Sequence, residues 1–217
     1  MNYSKNCPFC INSRLENNRL ANLPTNDTIL FQNENIYVQV DISPLTIGHI
    51  LIISNYHYLN FYEMPKEIKE DVIKIKEKLK IIYKNLYNTD ILFFEHGSAQ
   101  SGYAGASIDH AHLHCIPYFN NKLDIKNSLN KMLGDNIECD ILANYDFNNQ
   151  FSYIYIESEK DGKVIYKVNK LPSQFLRKLV LEKLGDNNFL WQEKCITPNS
   201  INKLKQTIID FKGKISI

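Results

Sequence analysis

The sequence predicts an α+β fold in which an antiparallel sheet carries one long helix on a face. Short apolar or alternating segments follow one another through the first half of the chain, as expected of consecutive strands. One long segment with a helical apolar stripe interrupts them. A second set of strand and helix patterns lies beyond residue 120, so we also expect a C-terminal α/β extension.

The first predicted elements are strands. Residues 28–32 and 35–41 are β-rich runs separated by two residues, which predicts a hairpin. Residues 49–54 form a continuous apolar run, which is typical of a strand buried on both faces. Residues 90–95 predict a fourth strand.

The long helix is predicted from Pro65 to about Tyr87. Proline suits the first turn of a helix. Apolar residues recur at steps of four and three and form one stripe, namely Ile68, Val72, Ile75, Leu79, Ile82 and Leu86. Lysine and glutamate fill the other positions, so we interpret them as a solvated face.

A run of histidines, residues 109–117, is the most informative segment. His110, His112 and His114 alternate with apolar residues, and alternation at period two predicts a strand with all three imidazoles on one face. Side-chain packing alone gives a strand little reason to carry three imidazoles on one face. Imidazole can be a nucleophile, a proton carrier or a metal ligand near neutral pH, so the pattern indicates chemistry.

The extension is predicted to contain a short helix within residues 123–133 and a hairpin. Residues 151–156 and 163–168 flank Asp161-Gly162, a turn signal. Further helices are expected from about Pro172 and from residue 199 or 200 to about Lys212. Two strands are not stable alone, so the extension should pack on the first domain.

Composition excludes several classes of protein. The 217 residues are 44% hydrophobic and 23% charged, and the formal net charge is +1, so nothing attracts nucleic acid or an anionic membrane in bulk. No apolar run approaches the ~20 residues that span a bilayer. The first residues lack the apolar core of a signal peptide, and we therefore expect a cytoplasmic protein.

The five cysteines do not form an even set, which argues against a disulfide framework. Cys7 and Cys10 have the spacing of a metal half-site or of a redox dithiol. A redox pair normally follows a strand, and only six residues precede this one, so a metal half-site is favoured. Cys115, Cys139 and Cys195 are interpreted as buried thiols.

These motifs together resemble the histidine-triad (HIT) superfamily. The resemblance rests on residues 109–117, on 38–44 with Gly48-His49, on 53–57 and, for the zinc-bearing branch, on Cys7-Pro-Phe-Cys10. It covers about residues 5–118. It implies a HIT-like nucleotide-binding catalytic domain at residues 1–119, followed by the extension at residues 120–217. Residues 151–157 and 171–177 are similar to tails on some longer bacterial members.

The resemblance implies catalytic roles for two histidines. His112 matches the family's nucleophile, which attacks the α-phosphorus of a nucleotide and forms a covalent nucleotidyl-histidine. It must keep one ring nitrogen free while the other donates to a fixed acceptor such as a backbone carbonyl. His114 matches the histidine that hydrogen-bonds the phosphate, and as an imidazolium it could stabilise charge there.

The resemblance also implies a structural zinc ion. His110 matches the histidine that binds the metal in zinc-bearing relatives. With Cys7, Cys10 and His57 it would complete a tetrahedral set, which leaves no open position for water.

Nucleoside recognition is expected from Asp41, whose carboxylate can accept hydrogen bonds from ribose hydroxyls, and from Ile42 as an apolar wall for the base. Ser107 matches a serine that contacts the phosphate. The amides of Gly105 and Ala106 could complete a small anion-binding nest with it.

Two features depart from the family pattern, the segment 95–97 and the loop 97–107, which is longer than in the small members. Many hydrolase members carry an asparagine where this chain has Glu95-His96-Gly97. A carboxylate beside phosphates would repel them unless it is turned away, protonated or bridged by a cation. His96 is interpreted either as a general acid or as a surface residue.

The sequence thus predicts a nucleotide hydrolase or transferase that acts on a dinucleoside polyphosphate or nucleotide conjugate, with a purine nucleotide as substrate. One alternative is a phosphorylase or sugar-phosphate nucleotidyltransferase, which uses phosphate or a sugar phosphate as acceptor. Another is a non-catalytic nucleotide-binding protein. No membrane or nucleic-acid partner is expected, and a homodimer is one expected state because small members of the family pair.

Overall fold

A computed structural model describes residues 7–10, 28–118, 123–143, 151–186 and 197–216 of the chain. The strands are β1 (Ile29–Gln32), β2 (Ile36–Val40), β3 (Ile50–Ser54), β4 (Asp90–Gly97), β5 (His112–Tyr118), β6 (Ile137–Glu138), β7 (Ser152–Ser158) and β8 (Gly162–Val168). The helices are α1 (Lys66–Tyr87), α2 (Ile125–Leu133), α3 (Phe175–Lys183) and α4 (Pro198–Phe211).

All eight strands belong to one sheet in the order β1-β2-β3-β5-β4-β7-β8-β6. Every pairing in it is antiparallel. The hairpin β7–β8 pairs with β4, so strands from both halves of the chain share one hydrogen-bonded sheet. The predicted α+β fold is confirmed.

The two faces of the sheet carry different layers. On one face, α1 buries its apolar stripe against residues such as Ile52 and Phe93. On the other face, α2 and α3 pack against β4, β5 and the hairpin. Phe94 and His114 belong to this second face and stack with 4.4 Å between their ring centroids. The part of this face over β2 and β3 carries the candidate site.

The register across the central strands sets which side chains can meet. Leu51 of β3 lies opposite Gln39 of β2 and opposite His114 of β5. Ile53 lies opposite His112 in the same way. Because directly paired residues point to the same face, Gln39, Leu51 and His114 form one row across the sheet.

The histidine segment differs from its prediction at its start. The strand begins at His112 rather than at residue 109, and His110 precedes it in a bend. The amide of His110 donates to the carbonyl of Ile108 at 2.9 Å, and the amide of Ala111 donates to Tyr58 at 2.7 Å. His112 and His114 therefore share a face by strand alternation, and His110, just before the strand, belongs to a cluster with Cys7, Cys10 and His57.

Most other elements lie within a few residues of their predicted bounds, including α1, α2, the hairpin β7–β8 and α4. Strand β6 was not predicted, because two exposed residues carry no periodic pattern. Cys195 and residues 119–122 and 144–150 fall outside the described residues. Among the helices described, none has the length and apolar character needed to cross a membrane.

Candidate nucleotide site and metal cluster

A cavity of about 520 Å³ lies on the sheet face described above. Its walls come from the N-terminal segment, from β2 and β3, from the loops that precede β3 and β5, and from the start of α3. The lining includes Phe9, Gln39, Asp41, Ile42, Ser43, Leu51, His96, Gly105, Ser107, His112, His114, Gln174 and Arg177. Of the residues predicted for the nucleotide, all but Ala106 are in this lining.

His112 has a fixed tautomer. Its Nδ1 lies 2.6 Å from the carbonyl oxygen of His110, and a carbonyl only accepts, so Nδ1 carries the proton and donates. The lone pair of Nε2 is then available in the cavity. Burial lowers the pKa of His112, which favours the neutral, nucleophilic imidazole near neutral pH. The ring of Phe9 stands edge-on to it with 5.1 Å between centroids.

His114 is oriented by a relay that starts at a backbone amide. The amide of Leu45 donates to His49 Nδ1 at 3.1 Å, so the proton of neutral His49 is on Nε2. That atom lies 2.9 Å from His114 Nδ1 and donates to it. The proton of neutral His114 is consequently on Nε2. Burial holds the pKa of His114 well below its usual value and that of His49 at about 3, which favours neutral imidazole over the imidazolium expected for His114.

Asp41 is bound by an arginine from the extension. Arg177 of α3 donates to Asp41 Oδ2 at 2.7 Å and to the carbonyl of Ser43 at 2.6 Å. The amide of Ser43 donates to Asp41 Oδ1 at 2.7 Å. Burial acts to raise the pKa of Asp41, but the charge of Arg177, with His49 and the Ser43 amide, outweighs it and holds this pKa below its usual value. Asp41 is therefore ionised and firmly placed.

The glycine-bearing loop before β5 is pinned by the same helix. The amide of Gln174 donates to the carbonyl of Gly105 at 2.7 Å. Gly105 has φ of +77°, and a Cβ there would lie 2.7 Å from the carbonyl oxygen of Pro172. Only glycine fits this close approach in a left-handed conformation. Ser107, two residues further along, is exposed at the rim of the cavity.

Cys7, Cys10, His57 and His110 form a second cluster, in which one donor atom from each residue lies within 4.8 Å of all the others. His110 Nδ1 is 3.3 Å from Cys7 Sγ and 3.7 Å from Cys10 Sγ, and His57 Nδ1 is 3.6 Å from Cys10 Sγ. His110 Nε2 donates to the carbonyl of Ser54 at 2.8 Å, so its Nδ1 lone pair faces the thiols.

The departures at Glu95 and His96 have structural explanations. Glu95 is buried away from the cavity, where the amide of Phe61 and the hydroxyl of Tyr153 donate to its two oxygens at 2.9 and 2.7 Å. Burial raises its pKa to about 8. His96 is neither a surface residue nor placed as an acid, since burial lowers its pKa to about 3 and its Nε2 accepts from the amide of Leu176 at 3.1 Å.

Comparison with known proteins identifies the family. A family model described as "Protein similar to CwfJ C-terminal" matches residues 1–130, which is more than half of the chain. The chain belongs to this HIT-like family. The predicted resemblance to the histidine-triad superfamily is thereby confirmed.

Individual relatives of this HIT-like protein cover only part of it. An uncharacterized HIT-like protein of Borreliella burgdorferi is 29% identical over 42% of this chain and 66% of its own length. Adenosine 5'-monophosphoramidase HNT1 of Saccharomyces cerevisiae is 32% identical over 41% of this chain and 52% of its own length. A solved HIT family hydrolase from Clostridium thermocellum has 25% identity, covers 57% of this chain and 99% of its own, and has a TM-score of 0.40. The chain thus spans just under two thirds of the length of the Borreliella burgdorferi protein and about half of the length of the yeast protein.

Several residues of the HIT-like site were not predicted from the sequence. Arg177 and Gln174 lie in the stretch 171–177, whose only sequence signal was its similarity to tails on longer bacterial members. Gln39 was hidden inside a predicted strand, and His49 was quoted only as part of the Gly48-His49 motif. For Gln39 the signal was available, because a glutamine among apolar residues of a buried strand is itself a sign of a polar site.

Proposed function

We propose that this HIT-like protein is a nucleotide hydrolase or nucleotidyltransferase that acts at the α-phosphorus of a dinucleoside polyphosphate or nucleotide conjugate. The observation that carries this proposal is the contact between His112 Nδ1 and the carbonyl of His110. It fixes one tautomer and leaves the other ring nitrogen as a nucleophile in a cavity large enough for a nucleotide.

The chemistry is a double displacement. His112 Nε2 attacks the α-phosphorus, so an N–P bond forms while the bond from phosphorus to the leaving group breaks and its electron pair departs with that group. In the second step, water or another acceptor forms an O–P bond. The N–P bond then breaks, its electron pair returns to Nε2, and the proton of the acceptor passes to solvent. Nucleotidyl-His112 is the intermediate between the two steps.

The surrounding residues have complementary roles. His114 carries its proton on Nε2 and can donate a hydrogen bond to a phosphate oxygen. This hydrogen bond has the strength of one donated by a neutral imidazole. Ser107 and the loop amides near Gly105 supply further donors. Asp41 keeps unused lone pairs on its carboxylate for ribose hydroxyls, and Ile42 offers an apolar surface to a purine base.

The Cys7, Cys10, His57 and His110 cluster fits a structural zinc. Zinc bonds of about 2.3 Å to sulfur and about 2.1 Å to nitrogen imply sulfur–nitrogen separations of about 3.6 Å in a tetrahedral site. The observed separations are 3.3, 3.6 and 3.7 Å. The hydrogen bond from His110 Nε2 to Ser54 is the outer support that such a ligand requires. Bound zinc would supply a cross-link between the N-terminal segment and the residues that precede β5.

Among relatives, the name of the yeast protein, adenosine 5'-monophosphoramidase, supports an adenine nucleotide with a P–N bond as one substrate class. The division of this chain at residues 119 and 120, a cytoplasmic location and a homodimer stay predictions.

The experiment that tests the function compares turnover by wild type and by His112→Gly on adenylylated and guanylylated substrates, which include diadenosine tetraphosphate and adenosine 5'-phosphoramidate. Each is assayed in water alone and with added phosphate or a sugar phosphate. We expect turnover in wild type, loss of it in His112→Gly and partial rescue of this variant by free imidazole, which occupies the vacated space. Nucleotide binding without turnover in wild type, under every acceptor condition, would favour the non-catalytic alternative.

A further inference from the structure

Gln174 stands out among the residues that line the cavity because its conformation is unfavourable in two ways. Its backbone φ is 62°, in the left-handed region that non-glycine residues seldom adopt. Its side chain is buried, with 6% exposure, and Oε1 has no hydrogen-bond partner among the described parts of the chain. Both features are unfavourable for the free protein.

A purely structural role would favour another residue at this position. Gln174 precedes the first turn of α3 as its N-cap, but its side chain makes no capping hydrogen bond. Glycine would adopt the left-handed conformation without strain. Asparagine tolerates that region and, like serine, is a good N-cap residue. Glutamine offers neither advantage, so its longer amide calls for a different explanation.

Gln174 lies beside the loop that carries Ser107 and beside the end of β4. Its own amide is bonded to Gly105, two residues before Ser107. Two residues further along α3, the amide of Leu176 is bonded to His96. Both contacts join it to the loop and strand that border the phosphate side of the cavity. Gln174 lines this cavity together with His112.

We propose that Gln174 is a specificity-determining residue of this site, whose amide oxygen accepts a hydrogen bond from the group that enters or leaves at the α-phosphorus. This inference rests on the proposed function. A buried acceptor without a partner requires a donor, and ionised phosphate oxygens cannot supply one. Water, hydroxyl and amine groups can, and these are the groups exchanged in a double displacement through a histidine. The ligand class is therefore an uncharged O–H or N–H donor.

Gln174 acts in the second step of the displacement. Water that attacks nucleotidyl-His112 forms the O–P bond, and the N–P bond breaks. Gln174 Oε1 accepts a hydrogen bond from that water and orients it, while the proton released passes to solvent. Loss of the amide oxygen should slow this step and should leave the first step intact for a substrate whose leaving group has no donor.

The test uses the full-length protein and the 4-nitrophenyl ester of adenosine 5'-monophosphate, whose leaving group is released as a coloured anion. Rapid mixing measures the burst, which reports formation of nucleotidyl-His112, and the following steady state, which reports its hydrolysis. The variants are Gln174→Met, which keeps the size but not the amide, and Gln174→Gly, which also relieves the left-handed strain. Gln206→Met, an exposed glutamine on α4, is the matched control.

We expect both Gln174 variants to keep the burst rate and to lower the steady-state rate by about threefold to tenfold, the range of one uncharged hydrogen bond. We also expect Gln174→Gly to unfold at a temperature no lower than wild type, which separates the effect from misfolding. The Gln206→Met control should match wild type in both phases.

Two results would overturn the proposal. Unchanged steady-state rates in both variants, with a normal burst, would show that Gln174 does not contact the acceptor while leaving the proposed function intact. An equal fall in burst and steady state would assign Gln174 a general structural role. A wild type that shows no burst and no nucleotidyl-histidine would contradict the proposed function itself, and this inference with it.

Discussion

Arg177 and Asp41 are joined by a buried ion pair of 2.7 Å that spans 136 residues of sequence. Arg177 lies on a helix of the C-terminal extension, and Asp41 directly follows the second strand. Arg177 also donates to the carbonyl of Ser43. One guanidinium thus fixes the loop on which ribose recognition is proposed to depend. The C-terminal extension therefore contributes directly to the candidate nucleotide site.

Removal of Arg177 tests the role of this ion pair. Arg177→Met leaves the Asp41 carboxylate buried without its partner, and breaking a buried pair in this way costs about 3–5 kcal/mol. We expect a large fall in the temperature of unfolding and weaker nucleotide binding, both measured with purified protein. Arg177→Met combined with Asp41→Asn should recover part of the stability, because the unpaired charge is gone.

The matched control is Lys74→Met, which removes an exposed partner of Asp71. Surface pairs are worth about 0–1 kcal/mol, so this variant should unfold close to wild type. An equally small effect of Arg177→Met would show that the Asp41 pair does not organise the loop.

Glu95 gives a prediction about pH. Burial raises its pKa to about 8 from an ordinary value of about 4.5, so the folded protein holds this proton more tightly than the unfolded chain does. The stability from this group is therefore complete below about pH 4.5 and is lost as the pH rises through 8. Glu95→Gln cannot ionise but can still pair with Tyr153 and the amide of Phe61.

Glu95→Gln should therefore be as stable as wild type at pH 5 and more stable, by on the order of 1–3 kcal/mol, at pH 8. Chemical denaturation at the two pH values measures this. A difference between variant and wild type that is the same at both values would show that Glu95 is ionised throughout.

The metal content of the purified protein tests whether the cysteine and histidine cluster binds zinc. We expect about one zinc per chain in wild type by elemental analysis, and a marked loss of both zinc and thermal stability in Cys7→Ser and His110→Asn, because each removes a ligand of a closed tetrahedral site. Cys139→Ala removes a buried thiol outside the cluster and should keep its zinc. Zinc retained at wild-type level by both ligand variants would place the metal elsewhere.

The orientation of His114 depends on His49 in this structure, which provides a paired test. Glutamine at position 49 can accept from Leu45 through its oxygen and donate to His114 through its nitrogen, whereas leucine can do neither. We expect His49→Leu to lower kcat/KM by about tenfold, the effect of losing about 1.4 kcal/mol of transition-state stabilisation, and His49→Gln to keep most activity. Equal activities of the two variants would show that the relay is dispensable.

Local patterns explain why so much of the fold could be predicted from sequence. The stripe on the long helix and the alternation in the strands are periodic signals that burial on one side imposes directly. The same alternation in residues 109–117 predicted that His112 and His114 share one face of a strand. His110 lies outside the strand itself, in a bend that precedes it, and its Nδ1 lies near the thiols of Cys7 and Cys10.

Contacts between distant segments explain what could not be predicted. Arg177, Gln174 and Leu176 reach the site only because the extension folds back over the loop before β5, and no local periodicity encodes that docking. The outcome at His96 has the same origin, since its acceptor nitrogen binds a backbone amide 80 residues away. A two-residue strand such as β6 has too few residues to show alternation at all.

The most direct test of the central claim is identification of the covalent intermediate. Wild type would be mixed with the 4-nitrophenyl ester of adenosine 5'-monophosphate, quenched within the burst and digested, and the modified peptide would be sequenced by mass spectrometry. We predict an adenylyl group on His112, absent from His112→Gly. An adduct on any other residue, or turnover by wild type without an adduct on His112, would contradict the account.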